Sequence, residues 1–243
     1  MRLLDRGYRD YFETIQSYNI IAEGYRFWRT KPWPITKVVR GRAVLDAGSG
    51  SCVNGVEVAL RNSGYVVCLD ISKSMAYTAR EVLEKRMVLG DAVVGDAISM
   101  PIRSSSLDAV ISIALVHHLP RELAWMFFTE VQRVVKVGGM LLVTIWLWKQ
   151  RRFLLHTIIN YIKTLGGLLG YPRRYTVYWR TRKGKFKRIY YLYTEKELAN
   201  LITKSNLNVV SQGLVGYLKN KSNNIYVVAV KSRAWHSTKP YQH

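Results

Sequence analysis

Apolar residues in the first 148 positions alternate between short unbroken runs and helix-spaced sets. Ala43-Val44-Leu45-Asp46 is a run that ends in an acid and meets glycines at once. Val53 to Arg61 carries apolar residues at Val53, Val56 and Leu60, with Val58 and Ala59 filling the face, a spacing that predicts a helix. Tyr65 to Asp70 is a second strand pattern, again closed by an acid, and Ser74 to Lys85 is amphipathic with Ser72 or Ser74 as its cap. A third strand falls within Arg86 to Gly95, a fourth at Ala109 to Ala114, and a long helix at Arg121 to Val135. Gly138-Gly139 turns the chain into a fifth strand, Met140 to Trp146, with the pattern of full burial. Such alternation predicts an α/β fold: a parallel sheet flanked by helices, joined by right-handed crossovers.

The rhythm breaks after Trp148. Lys149 to Thr194 holds one predicted helix, a glycine-rich break at Gly166, Gly167 and Gly170, then Pro172 and a basic–aromatic segment. A helix at Glu195 to Lys204 and strand patterns at Leu207 to Gly213 and Ile225 to Lys231 follow, and the last dozen residues read as a loose tail. Residues 1–243 are therefore expected to form a single domain with a helical N-terminal extension at 1–42 and a substrate-binding insertion at 149–194.

Charge changes the picture. Met1 to Trp148 has 18 basic and 14 acidic residues, whereas Lys149 to His243 has 19 and 2, within an overall net of +21. A balanced front and a cationic back point to a polyanionic partner, because a small acid needs far less charge. Between Tyr171 and Tyr191 no acid interrupts Arg173, Arg174, Arg180, Arg182, Lys183, Lys185, Lys187 and Arg188, and aromatic residues are interleaved among them. Cations for phosphates and aromatic faces for unpaired bases suit an RNA loop; the plainer reading is a solvated face. Cys52 and Cys68 form no C-x-x-C unit and predict neither a disulfide framework nor a zinc cluster. Asp5, Asp10 and Glu13 give no signal-peptide pattern, and Phe153 to Leu169 is too interrupted to span a bilayer, so a soluble, cytoplasmic protein is expected. No metal site is expected, since no third ligand stands near His117 and His118.

Asp46-Ala47-Gly48-Ser49-Gly50 lies between a strand and a helix, where glycines allow a sharp turn and the helix start offers free N–H groups. Asp70 closes the next strand twenty residues after Gly50, where an acid can take both hydroxyls of a ribose. A dehydrogenase would want G-x-G-x-x-G, but the third position is Val53. The acid-led D-x-G-x-G, the acid at Asp70 and the later Gly95-Asp96-Ala97 resemble the class I S-adenosylmethionine-dependent methyltransferases, over roughly Ala43 to Trp148. The resemblance implies a Rossmann-like, mostly parallel seven-stranded sheet with helices on both faces, an antiparallel last strand, and S-adenosyl-L-methionine as cofactor. It also implies that Asp46 and the Gly48–Gly50 loop serve the methionine part and that Asp70 holds the ribose. Asp96, in preference to Asp91, would meet the adenine amino group, with Ala97 offering its N–H, and Ile113-Ala114-Leu115 would line the methyl-donor side. Cys52 stands where the family often has a third glycine.

The flanks narrow the resemblance. Tyr18 to Ala22, the hexamer Arg29-Thr30-Lys31-Pro32-Trp33-Pro34, the run Ser112 to Leu119 and the element Arg188 to Leu198 are similar to the tRNA wobble-uridine methyltransferases. Those enzymes esterify a 5-carboxymethyl group on U34 of the anticodon. A carboxylate is already ionised at neutral pH and needs no general base, so catalysis would be positioning and desolvation by one Arg or His with limited contact. Arg29, His117 and Arg188 are the candidates. Trp33 and Tyr190 would stack on a flipped base or shape its pocket, and Arg180, Arg182 and Lys185 would meet the RNA. The plainer readings are Trp33 as a core plug and one of the two histidines as structural. The resemblance further implies the tRNA anticodon stem-loop as substrate and a small zinc-binding activator protein at the sheet edge near 86–94, where Met87, Val88, Val93 and Val94 are apolar. Two alternatives stay open. One is a small-molecule or lipid/quinone methyltransferase using Arg151 to Leu169 at an anionic membrane; the other is a non-catalytic RNA-binding module.

Overall fold

In the computed structural model, which describes residues 2–25, 30–164, 171, 173–181, 184–216 and 223–233, seven strands form one sheet. β1 (Ala43–Ala47), β2 (Tyr65–Asp70), β3 (Gly90–Val94), β4 (Leu107–Ile113) and β5 (Val135–Trp146) run parallel. β9 (Asn224–Val230) runs antiparallel between β5 and β8 (Asn208–Val215), and the order across the sheet is β3-β2-β1-β4-β5-β9-β8. The sheet has the topology implied by the class I resemblance, down to the single reversed strand.

The central strands are almost purely apolar because both faces are covered. Helices α2 (Val53–Asn62) and α3 (Lys73–Arg86) pack on Val66 and Cys68 on one face. Helices α4 (Arg121–Val134) and α6 (Glu195–Lys204) cover the other, where Leu123, Phe127 and Phe128 bury against Leu45, Val110 and Leu141. Ser72 caps α3 by accepting from the Met75 N–H at 3.4 Å, and Thr194 with Glu197 forms a reciprocal capping box on α6.

Three expectations change. First, Cys52 and Cys68 are joined in a disulfide with a Cα separation of 5.7 Å. The strand–helix–strand crossover closes on itself: Cys68 pairs in register with Asp46 on the neighbouring strand, beneath the start of α2, where Cys52 sits. Second, Gly138 and Gly139 lie inside β5, where Gly138, at φ +81°, bonds through its N–H to the Lys231 carbonyl at 2.7 Å. Third, the basic–aromatic segment is a hairpin: β6 (Arg174–Thr181) pairs antiparallel with β7 (Gly184–Tyr191), Arg174 opposite Tyr191 and Thr181 opposite Gly184. Along β6, Tyr175, Val177 and Trp179 are the more covered residues, while Thr176, Tyr178 and Arg180 face water. The 13-residue α5 (Arg151–Lys163) leads into it, with Phe153 buried against Tyr175.

The N-terminal helix α1 (Arg2–Tyr25) holds this hairpin against the sheet. Asp10 is buried and takes both arms of Arg174, at 2.5 and 2.6 Å, and the Tyr191 hydroxyl at 2.5 Å. Thr14 accepts from the Ile189 N–H at 3.2 Å, and Ser17 donates to the Lys187 carbonyl at 2.5 Å. Burial pushes the Asp10 carboxyl up, but the hydrogen bonds from Arg174 and Tyr191 and the Arg174 charge outweigh it, so its pKa lies below the usual carboxylate value.

Asp10→Asn leaves a half-buried guanidinium without its anion and should cost about 3 kcal/mol, or roughly 6–12 °C in Tm. Because the folded-state pKa is depressed, this contribution is fully present above about pH 4 and is lost as pH falls through the folded value. In thermal melts from pH 7 down to pH 3, the gap between wild type and variant should therefore begin to narrow below about pH 4.

Candidate active site

The site begins where β1 ends. The chain turns through Gly48 at φ +68° and Gly50 at φ +53°, and the Gly48 and Ser49 N–H groups both donate to the Leu69 carbonyl at 2.8 and 3.0 Å. A Cβ on Gly48 would meet the Leu115 side chain at 2.9 Å, so backbone conformation and space both demand glycine there. Cys52, the N-cap of α2, adopts φ +58°, the left-handed conformation that a glycine at this position would take freely. Asp46 lies beneath the loop, fully buried, and accepts the Gly55 N–H at 2.9 Å. Burial, opposed by that hydrogen bond and reinforced by the nearby Asp70 charge, pushes its carboxyl up to about 8. It braces the first turn of α2 and does not line the cavity.

Above the loop opens a cavity of about 700 Å³, including its mouth, at the carboxyl ends of β1, β2, β3 and β4. This is where ligands bind in open α/β sheets. Asp70 lines it, accepting from the Gly50 N–H at 2.8 Å through one oxygen and from the Ser72 N–H at 2.9 Å through the other. Each oxygen keeps a second lone pair for a ligand hydroxyl, and burial raises the Asp70 pKa. Gly95 and Ala97 line the β3 end. Between them Asp96 accepts the Tyr11 hydroxyl at 2.6 Å and the Ile98 N–H at 3.0 Å through Oδ1. Asp91 stands exposed, bonded to the Tyr65 hydroxyl instead, so of the two acids Asp96 is the one flanked by cavity-lining residues. Ile113, Ala114 and Leu115 line the β4 end. Ala114 has φ +62°, uncommon for a residue with a Cβ, and is held there by its N–H on the Thr144 carbonyl at 3.0 Å.

The roof is α1. Tyr11, Thr14, Ile15 and Tyr18 face the cavity as one helical stripe. His118 also lines the cavity, whereas His117 is buried behind it against Trp146 at 5.5 Å and Tyr190 at 4.8 Å. Arg188 is buried with its guanidinium among three rings, 4.7 Å from Trp179, 5.4 Å from Tyr190 and 5.9 Å from Tyr18, and its Nη1 is 3.5 Å from the Tyr18 hydroxyl. Tyr190 is itself buried, an inner wall of this aromatic cluster and not an exposed stacking platform. Trp33 fills the core with Val39, Val58 and Ile113, and its backbone N–H donates to Asn54 Oδ1 at 2.9 Å.

The basic segment is less open than its composition implies. Arg173 pairs with Glu197, Arg174 with Asp10, and Lys187 with Glu13 at 2.7 Å, acids that come from distant parts of the chain. Arg180 and Lys185 stand exposed, with Lys185 over the Tyr178 ring at 4.0 Å. Arg29 and Arg182 lie outside the described residues.

Residues 45–143 match the methyltransferase domain family. A methyltransferase-family protein of Encephalitozoon cuniculi is 30% identical over 198 residues, covering 76% of this chain and 82% of its own length. The mouse tRNA (carboxymethyluridine(34)-5-O)-methyltransferase is 32% identical over 141 residues, 56% of this chain but only 20% of the mouse protein. Among solved structures, a Burkholderia thailandensis 1,6-didemethyltoxoflavin-N1-methyltransferase with bound S-adenosylhomocysteine has a TM-score of 0.65 at 15% identity, covering 93% of this chain and 89% of its own. A methyltransferase in complex with the Haloferax volcanii Trm112 activator has a TM-score of 0.56 at 16% identity, covering 93% and 94%. With its fold and its glycine loop, the chain belongs to the class I S-adenosylmethionine-dependent methyltransferases, and S-adenosylmethionine is its cofactor. Within that class it resembles the tRNA carboxymethyluridine methyltransferases.

Asp70→Asn replaces a charged acceptor by a neutral one and should weaken S-adenosylhomocysteine about 10- to 100-fold by calorimetry. Reducing the Cys52–Cys68 disulfide, or replacing both cysteines by serine, should lower Tm by about 5–12 °C in scanning calorimetry, because it frees a short loop in the unfolded chain.

Proposed function

We propose that this protein methyl-esterifies a carboxymethyl group on the wobble uridine of tRNA, with Arg188 holding the acceptor carboxylate. The observation that carries this reading is the guanidinium of Arg188, enclosed by aromatic rings and reaching the cavity wall at Tyr18. When bound, S-adenosylmethionine supplies a methyl group on cationic sulfur, which a carboxylate oxygen takes in line while the sulfur keeps the bonding pair. Asp70 would hold the ribose hydroxyls, Asp96 and Ala97 the adenine, and the Gly48–Gly50 loop the methionine part. The apolar wall at Ile113, Ala114 and Leu115 would exclude water from the reacting atoms.

Acid–base chemistry supports an acceptor that arrives ionised. The histidine lining the cavity, His118, is pulled down to about 3 by burial and by the Arg188 charge, so it is neutral at pH 7 and too weak a base to keep a proton taken from an acceptor. An amine or alcohol acceptor would need to leave a proton behind; a carboxylate does not. Exposed Arg180 and Lys185 on the hairpin are positioned for phosphates, with Tyr178 beside them. Arg29, His117, Trp33, Arg182 and Tyr190 remain assigned to the acceptor side through the family resemblance, Trp33, His117 and Tyr190 as buried supports of its walls.

The same reading includes a protein partner. β3 is a sheet edge, and around it Met87, Leu89 and Val94 are exposed, a surface suited to strand addition by a small zinc-binding activator. A second reading rests on α5, whose Leu155, Ile158, Ile159 and Ile162 form one exposed aliphatic stripe that would suit a lipid or quinone substrate at a membrane. Among the described residues no helix is long and apolar enough to cross a membrane.

Incubation with bulk tRNA and methyl-labelled cofactor, followed by mass spectrometry of wobble nucleosides, should yield the methyl ester of 5-carboxymethyluridine. Arg188→Ala should lower its formation at least about 100-fold while S-adenosylhomocysteine affinity stays within twofold. Salt-insensitive binding to anionic liposomes in preference to tRNA would instead favour the second reading.

A further inference from the structure

Hydrogen-bond directions around Tyr18 can be assigned from chemistry alone. The Ile189 carbonyl can only accept, so the His118 Nδ1 that faces it at 3.3 Å carries the ring hydrogen. His118 is buried beside a fixed cation and stays neutral at pH 7, which leaves Nε2 bare. Nε2 lies 2.9 Å from the Tyr18 hydroxyl, so Tyr18 is the donor in that bond. Arg188 Nη1, which can only donate, faces the same hydroxyl oxygen from 3.5 Å. Tyr18 has therefore given its one hydrogen to His118 and can present only lone pairs to the cavity it lines.

Sheet order says what those lone pairs meet. Asp96 follows β3 by two residues, Asp70 ends β2, and the glycine loop follows β1, in the spatial order β3-β2-β1-β4. A nucleoside with its base at Asp96 and its ribose at Asp70 would place its sulfur further along, toward the end of β4. Ile113, Ala114, Leu115, His118 and Tyr18 line the cavity there. A methyl group on a cationic sulfur has polarised C–H bonds that donate weakly to oxygen lone pairs.

We propose that the Tyr18 hydroxyl oxygen accepts C–H···O contacts from the reactive methyl and so orients it, and that His118 is a positioning residue whose tautomer fixes the polarity of Tyr18. The inference needs only the cofactor and is independent of the acceptor, so it stands or falls separately from the RNA reading.

Calorimetry with the two forms of the cofactor tests it. Tyr18→Phe keeps the ring and removes the oxygen, and should weaken S-adenosylmethionine about two- to fivefold while leaving S-adenosylhomocysteine, which lacks the methyl, within experimental error. With 13C-methyl-labelled S-adenosylmethionine bound, the methyl proton resonance should lie downfield in wild type and move upfield in Tyr18→Phe. Nitrogen-15 NMR of wild-type protein should show His118 neutral and protonated on Nδ1, and His118→Phe should reproduce the Tyr18→Phe shift in the ratio of the two affinities. Equal weakening of both ligands, an unchanged methyl resonance, or a hydrogen on His118 Nε2 would each overturn the proposal. The tautomer and the methyl resonance are both measured on unaltered protein, so the proposal is tested even if a variant fails to fold.

Discussion

A carboxylate with almost no access to water must be matched by donors, and Asp10 is matched by three from two strands of the hairpin. That requirement fixes the placement of α1. The helix cannot slide or roll without stranding the carboxylate, so its adjoining stripe, Tyr11, Ile15 and Tyr18, is held over the cavity. One buried anion thus joins three parts of the chain that are far apart in sequence: the N-terminal helix, the cationic hairpin and the strand ends that surround the ligand. The cavity roof and the cationic hairpin share a single support.

Much of this organisation is legible in the residue pattern. Buried parallel strands are continuous apolar runs, and the acids and glycines at their carboxyl ends interrupt those runs at fixed points, so the loop at Gly48 and the acids at Asp70 and Asp96 stand out. The hairpin is harder to see because its covered face is built from Tyr175, Val177 and Trp179, and its charges mask the alternation. Of the roof residues only Tyr18 is singled out by the resemblance, and nothing local says what the helical stripe that it shares with Tyr11 and Ile15 faces. Likewise, two cysteines sixteen residues apart look unrelated until the crossover is closed and the two positions stack. Contacts of this kind belong to topology, which no local spacing encodes.

Charge illustrates the same limit from the other side. Counting cations between Tyr171 and Tyr191 treats each as available, yet Arg173, Arg174 and Lys187 are engaged by Glu197, Asp10 and Glu13. Few acids exist in the chain to do this, and three of them converge on one hairpin. Several of these cations therefore set the shape of the hairpin, while exposed ones such as Arg180 and Lys185 supply its field.

The bond between Cys52 and Cys68 pins the residue after the glycine turn to the strand that carries Asp70. A thiol reagent in the buffer is therefore no bystander. A preparation kept in dithiothreitol and one kept in air are chemically different molecules at the cofactor loop. Measurements on the two compare different states of the loop beside Asp70, whatever substrate is supplied.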